Sequence, residues 1–94
     1  MSTFFLFGRY SRDAVTGISA HRTEQARELI DKLGGHVKGI YALLGEYDLV
    51  LIVDLPAMAV AMQAAIELRR LTGISFSTSA AIPIEEFDQM VERP

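Results

Sequence analysis

The hydrophobic positions of this chain fall into two kinds of pattern, short dense runs and longer stretches with helical spacing. The dense runs are rich in aromatic and aliphatic residues, which favours β-strands. Gly45 and Glu46 separate the two middle runs, and a gap of two residues is typical of a β-hairpin. The pattern therefore predicts four strands, at residues 3–10, 36–44, 47–54 and 74–82.

The first helix is expected between the first two strands. Residues 11–20 contain a glycine and several small polar residues, which predicts a loop. Thr23 then has the side chain of an N-cap, and apolar residues such as Ala26 and Ile30 recur on one helical face. Gly34 is expected to end this helix, because glycine adopts the left-handed conformation that closes many helices.

A second helix is predicted from Pro56 to Leu71, since proline suits the first helical position, and Thr72 and Gly73 are expected to end it. Its apolar side chains cover most of the circumference, which is typical of a helix buried on more than one side. Either this helix forms a second interface, dimer to dimer or against the tail helix, or its small alanines simply tolerate exposure. A short amphipathic helix is expected from Pro83 onward.

The order of these elements predicts an α+β, ferredoxin-like βαββαβ fold with a short C-terminal helix. Right-handed crossovers place both long helices on one face of the sheet and leave the other face uncovered. The first strand nevertheless has four apolar residues in succession, Phe4 to Phe7, and the third has five, Leu49 to Val53. Both sheet faces are therefore apolar, which predicts a homodimer through the uncovered face and allows a higher oligomer.

Composition narrows the class of protein. Ninety-four residues, half of them hydrophobic, predict one globular domain over residues 1–94. The net charge of −3, with nine scattered Lys and Arg residues, argues against nucleic acid as a partner. The chain has no cysteine and no run of roughly 20 apolar residues, so we expect a cytoplasmic protein without a membrane partner.

The segment Gly45-Glu46-Tyr47-Asp48 resembles the glycine-tyrosine-aspartate hairpin of the GYD family. The similarity extends to residues 34–41, to the helix start at Pro56 and to the segment from Pro83 to Phe87. It implies a dimeric α/β barrel and no settled activity. Effector-binding domains of feast/famine-type transcription regulators carry a similar hairpin on the same kind of fold. Because this chain begins directly at its first strand, we expect a module without a DNA-binding helix-turn-helix.

Tyr47 and Asp48 are the candidate catalytic residues. On a functional interpretation, Asp48 is a base or acceptor at the mouth of the barrel and Tyr47 is a donor. On a structural interpretation, which we favour, the aspartate accepts backbone N–H bonds in a turn and the tyrosine packs.

The candidate ligand-binding residues are Arg9, Tyr10, His21 and Tyr41. Arg9 and Tyr10 lie on opposite faces of the first strand, so one of them ends an apolar wall and suits an acidic or aromatic ligand. The alternative is that both reach into solvent. His21 lies in a loop expected to fold over the end of the sheet.

Other chemistries have weaker support. The two histidines lack the close spacing of metal ligands, so we expect no metal, and we expect no organic cofactor. Ser75, Ser77 and Ser79 share one strand face, either as a polar patch in the cavity or as the solvated side of an edge strand. They lack the surroundings of an activated nucleophile.

These patterns favour a homo-oligomeric module that binds a small molecule. The alternative is an enzyme without an organic cofactor, of the isomerase, cyclase or oxygenase type, acting on a small aromatic or carbonyl compound. This alternative rests on analogy of fold. A third class is a purely structural subunit.

Overall fold

Four strands form one antiparallel sheet in the order β2-β3-β1-β4. The structure is a computed structural model, and it describes residues 1–92. Because β1 pairs with both β3 and β4, the first strand of the chain lies inside the sheet and the last lies at its edge. The strands are β1 (Ser2–Arg9), β2 (His36–Ala42), β3 (Leu49–Leu55) and β4 (Ser75–Ala81).

Helices connect β1 to β2 and β3 to β4, as the ferredoxin-like arrangement requires, and a further helix follows β4. The α+β, ferredoxin-like fold predicted from the sequence is thereby confirmed, including the short C-terminal helix. The helices are α1 (Arg12–Thr16), α2 (Ala20–Lys32), α3 (Met58–Thr72) and α4 (Ile84–Val91).

The segment between β1 and α2 differs from the prediction. It was expected to be a loop, but it contains the one-turn helix α1, and α2 begins at Ala20. The N-cap is Ser19, whose Oγ accepts a hydrogen bond from the backbone N of Arg22 at 3.0 Å. Thr23 is inside the helix, where its Oγ1 donates to the Ser19 carbonyl at 3.3 Å. The prediction of Thr23 as N-cap was wrong because two cap-competent residues lie one turn apart and the earlier one is used.

The connection between β2 and β3 also differs. It runs from Leu43 to Asp48, longer than the expected hairpin turn at Gly45 and Glu46. The cause is the backbone of Asp48, whose N–H donates to the Gly8 carbonyl while its own carbonyl accepts from Leu43 N, each at 2.8 Å. The first bond ties the connection to β1, and the second links the residue that follows β2 to the residue that precedes β3.

The start of α3 was predicted two residues too early. Because β3 continues to Leu55, Pro56 follows the strand directly, Ala57 is the N-cap, and the helix begins at Met58. The predicted stop is confirmed, since Gly73 adopts a φ of 75°, which glycine reaches without a steric penalty.

The core lies between the sheet and one helical layer formed by α2 and α3. Phe4 and Leu6 of β1 point into it and are buried, whereas Phe5 and Phe7 point to the opposite face and are half-buried. This alternation defines an open face of the sheet, on the side away from α2 and α3. The buried cluster consists of Phe4, Leu6, Ala26, Ile30, Val37, Leu51, Val53, Leu55, Ala61, Ala64 and Leu68.

Candidate functional site

The open face of the sheet has an apolar centre. Phe5 of β1 pairs with Ile52 of β3, and Phe7 pairs with Val50 of the same strand. The rings of Phe5 and Phe7 lie 6.1 Å apart between centroids. Tyr41 of β2 pairs with Val50 and leaves 58% of its surface exposed. A continuous aromatic and aliphatic surface therefore crosses β1, β3 and β2.

Arg9 lies at one end of this surface and is held by the connection between β2 and β3. Its Nη2 is 3.1 Å from Oε1 of Glu46, and its guanidinium carbon is 4.8 Å from the centroid of the Tyr47 ring. The Tyr47 ring in turn packs against Phe7, with 5.2 Å between centroids. Since Arg9 and Glu46 are both exposed, their ion pair orients the arginine more than it stabilises the fold.

Polar side chains also lie at the opposite end of the open face. Thr3 Oγ1 donates to Asp54 Oδ1 at 2.6 Å, and Lys38 Nζ lies 4.0 Å from Asp54 Oδ2. The row of Ser75, Ser77 and Ser79 follows the open face along β4, which is an edge strand, and all three are exposed. The apolar centre is thus bordered by polar groups at both ends and along one edge.

Asp48 joins two segments of backbone. Its Oδ2 accepts a hydrogen bond from the backbone N of Tyr10 at 2.8 Å, and its own backbone N–H donates to the Gly8 carbonyl, so Asp48 ties the connection to the end of β1 at two points. A carboxylate that accepts a backbone N–H at the end of a strand is a structural support. The hydrogen bonds of Asp48 favour the structural interpretation of this residue.

A cavity lies on the helix side of the sheet, near the end of β1. Its volume is about 60 Å³, and Tyr10 and Arg22 stand among the polar groups that line it. The guanidinium carbon of Arg22 is 5.8 Å from the centroid of the Tyr10 ring. The other lining residues are Ile18, Ser19, Thr23, Ala26, Ile40, Leu49, Leu51, Leu68, Thr72, Ile74 and Phe76.

Gly8 allows three of the lining residues to pack closely against β1. A Cβ at this position would clash with Leu49 Cδ2 and would lie 2.8 Å from Ile74 Cγ2 and 2.9 Å from Phe76 Cε1. Non-bonded carbon atoms do not approach one another this closely, so a side chain here would displace these three residues.

The structure separates the residues that the sequence grouped as one candidate site. Arg9 and Tyr41 lie on the open face, whereas Tyr10 lines the helix-side cavity, which decides the open question of the two faces of β1. His21 is exposed at the start of α2 and is not among the residues that line the cavity.

Arg22 is a cavity residue that the sequence analysis missed. It shares a helical face with Ala26 and Ile30, at spacings of four residues, so its place on the apolar stripe of α2 is visible in the sequence. The signal was overlooked because the helix was expected to begin after Thr23, which left Arg22 in a loop.

Residues 1–92 contain neither a metal-binding cluster nor a membrane-spanning helix. Within this range, there is no cluster of three or more His, Cys, Asp or Glu side chains suited to holding a metal ion. Every helix in the same range is too short or too polar to span a bilayer.

Replacing Asp48 with alanine is expected to lower the free energy of unfolding by about 1–3 kcal/mol, because the N–H of Tyr10 loses its acceptor. Asp48→Asn keeps an acceptor oxygen and should lose less. Denaturant unfolding measures both, with Asp31→Ala on the exposed side of α2 as a control expected to change by less than about 0.5 kcal/mol. Equal losses in Asp48→Ala and Asp31→Ala would contradict a structural role for Asp48.

Two solved structures of regulatory proteins have a fold similar to that of this chain. The leucine response regulatory protein LrpA of Mycobacterium tuberculosis matches with a TM-score of 0.58 and 11% identity, over 87% of this chain and 51% of that one. An AsnC family transcriptional regulator from Agrobacterium tumefaciens matches with a TM-score of 0.58 and 20% identity, over 86% of this chain and 50% of that one. This chain therefore spans about half the length of each regulator, and the likeness shows the fold.

The family comparison covers nearly the whole chain. No curated protein matches it. The family model described as the GYD domain matches residues 4–91, a range that contains the glycine-tyrosine-aspartate segment, the open face and every residue that lines the helix-side cavity. The chain belongs to the GYD domain family.

Proposed function

We propose that this protein is a homo-oligomeric module that binds a small molecule in the helix-side cavity. The observation that carries the proposal is the cavity itself, with a buried apolar floor and a few polar groups around it, among them Tyr10 and Arg22. Small-molecule sites in proteins generally combine these two features. The name of one similar structure, a leucine response regulatory protein, supports a response to a small molecule by analogy of fold.

The open face supports self-association. Its centre is a continuous surface of Phe5, Phe7, Ile52 and Tyr41, and the α2 and α3 layer lies on the other side of the sheet. A chain of 94 residues buries a modest share of its own surface, and pairing with an identical face is a direct way to bury more. The exposed serines of β4 suit the rim of such an interface, so we propose that its centre lies on β1 and β3.

The tail helix α4 supports a second contact between copies. None of its residues is buried, although three of them form an apolar side. The Cα radius of gyration is 14.3 Å, above the roughly 12 Å of a compact chain of this length, which agrees with a tail helix that is not buried against the rest of the chain. The apolar side of α4 consists of Ile84, Phe87 and Val91.

The surface that fits α4 is on α3 of another copy. Met58, Met62 and Ile66 recur every four residues along α3, all are exposed, and we name them the outer α3 stripe. Two arginines follow the stripe in the last turn of α3, whereas the polar side of α4 is acidic, so charge as well as shape favours this pairing. These charged residues are Arg69 and Arg70 on α3, and Glu85, Glu86 and Asp88 on α4.

Filling the cavity tests the ligand site. Ala26→Val adds two methyl groups to the α2 side of the cavity, and we expect it to abolish the thermal shift given by any small molecule that stabilises the wild-type protein. Ala59→Val, on the exposed surface of α3, is the matched control and should keep the shift. A shift that survives Ala26→Val would place the ligand elsewhere.

Introducing a charge at the centre of the open face tests the sheet interface. We expect Phe5→Glu to be monomeric at a concentration where the wild type is a dimer, because pairing would bury an unpaired carboxylate. Sedimentation equilibrium measures the change, and circular dichroism confirms that the variant is folded. Val15→Glu, at an exposed apolar position on α1, is the control and should remain dimeric. A folded Phe5→Glu dimer would rule out this interface.

Shortening the apolar side of α4 tests the second contact. Phe87→Ser should weaken association beyond the dimer while leaving the unfolding free energy of the diluted monomer within about 0.5 kcal/mol of wild type, because Phe87 is not buried in its own chain. Light scattering over a concentration series measures the association. The control is Gln89→Ser on the same helix. Identical association in the two variants would refute the contact between α4 and the outer α3 stripe.

A further inference from the structure

The serine and threonine hydroxyl groups around the helix-side cavity already form hydrogen bonds within the chain. Ser19 Oγ accepts the capping bond from the backbone N of Arg22, and Thr23 Oγ1 donates to the Ser19 carbonyl. Thr72 Oγ1 donates to the Leu68 carbonyl at 2.6 Å and accepts from the backbone N of Ile74 at 3.1 Å. The donors left to meet a ligand are the guanidinium of Arg22, the phenol of Tyr10 and the O–H of Ser19, whose oxygen only accepts in the capping bond.

Arg22 differs from Arg9 and Arg27, which both form ion pairs. Arg9 has Glu46 and Arg27 has Glu24, whereas in residues 1–92 no carboxylate lies within 4.0 Å of the Arg22 guanidinium. Its Nη1 donates to the Ala14 carbonyl at 2.7 Å, which fixes the side chain and uses one of five N–H donors. The remaining donors of a half-buried, oriented arginine suit a carboxylate, which can accept two parallel hydrogen bonds.

The charge around the cavity has one sign. Among its lining residues, all of which the structure describes, Arg22 is the single charged side chain, and there is no Asp or Glu. A ligand with a single negative charge is attracted to Arg22, and its charge is paired there. A ligand with an additional ammonium group meets no carboxylate and is repelled by Arg22.

The remainder of the cavity sets the size of the ligand. Leu51, Leu68 and Ile74 are buried and supply an apolar floor without polar atoms. A volume of about 60 Å³ is less than half of the roughly 150 Å³ cavity that accommodates benzene. The space therefore suits an aliphatic chain of a few carbons better than an aromatic ring.

We propose that the helix-side cavity binds short aliphatic monocarboxylates, with the carboxylate on Arg22 and the chain on the floor of Leu51, Leu68 and Ile74, and that it rejects the corresponding α-amino acids. This assignment rests on the proposed function, since it names the ligand class of the same cavity. The monocarboxylate assignment follows from the position of one charged side chain, Arg22, beside this apolar floor.

Four probes of similar size test the ligand class: propionate, propionamide, alanine and n-propylamine. In ¹⁵N-edited NMR titrations of the full chain, propionate should shift the amide signals of residues around the cavity. Propionamide lacks the charge, alanine adds an ammonium group, and propylamine reverses the charge, so each should bind at least about tenfold more weakly, equivalent to about 1.4 kcal/mol.

Variants of Arg22 test the residue. Arg22→Gln should weaken propionate binding at least about tenfold, and Arg22→Lys, which keeps the charge but not the paired donors, should lie between it and the wild type. Arg12→Gln, on exposed α1, is the control and should bind as wild type does. Because Arg22 also bonds to Ala14, thermal unfolding of each variant separates a loss of binding from a loss of fold, and Arg22→Lys remains informative if Arg22→Gln unfolds.

The outcomes separate the ligand class from the proposed function. If propionamide binds as tightly as propionate, or if folded Arg22→Gln or Arg22→Lys binds propionate as wild type does, the monocarboxylate assignment is wrong, while binding that is abolished by Ala26→Val still supports the cavity as a ligand site. Alanine binding as tightly as propionate overturns the selection against amino acids. Propionate binding that Ala26→Val does not change overturns both the assignment and the cavity.

Discussion

The structure depends on a sheet that is apolar on both faces and covered by its own helices on one. Alternation along β1 sends Phe4 and Leu6 into the core and Phe5 and Phe7 to the open face. One face therefore supplies the hydrophobic core that stabilises the chain, and the other supplies a surface that is costly to leave in water. The proposed assembly follows from this division, since an identical open face is the nearest surface of matching chemistry.

The end of β1 connects the fold to the cavity. Gly8 allows Leu49, Ile74 and Phe76 to approach the strand, and the Gly8 carbonyl accepts the backbone N–H of Asp48. Asp48 in turn holds the backbone of Tyr10, which follows the last residue of β1, beside the cavity. The hydrogen bonds of Asp48 thus link the glycine-tyrosine-aspartate segment to the cavity through the backbone of Tyr10.

Much of the fold was predictable because it follows from local spacing. The dense apolar runs of β1 and β3, the stripe of Ala26 and Ile30, and Gly73 each have one physical interpretation in the sequence. The errors occurred where two local interpretations compete. Ser19 and Thr23 are equally good N-caps, and the connection around Gly45 has the composition of a tight hairpin until the backbone of Asp48 bonds to Gly8. The second of these choices depends on a contact between residues far apart in the sequence, Asp48 and Gly8.

Hydrophobic periodicity was sufficient to establish the order of the elements and the presence of apolar side chains on both faces of the sheet, because each depends on residues close together in the chain. The ferredoxin-like fold then followed from that order and from the right-handedness of crossover connections. Only the tertiary structure decided that Arg9 lies on the open face and Tyr10 at the cavity, and that Arg22, rather than His21, lines the cavity. The reason is geometric: the cavity is enclosed by α2, α3 and the sheet together, and no single segment contains more than a few of the residues that line it.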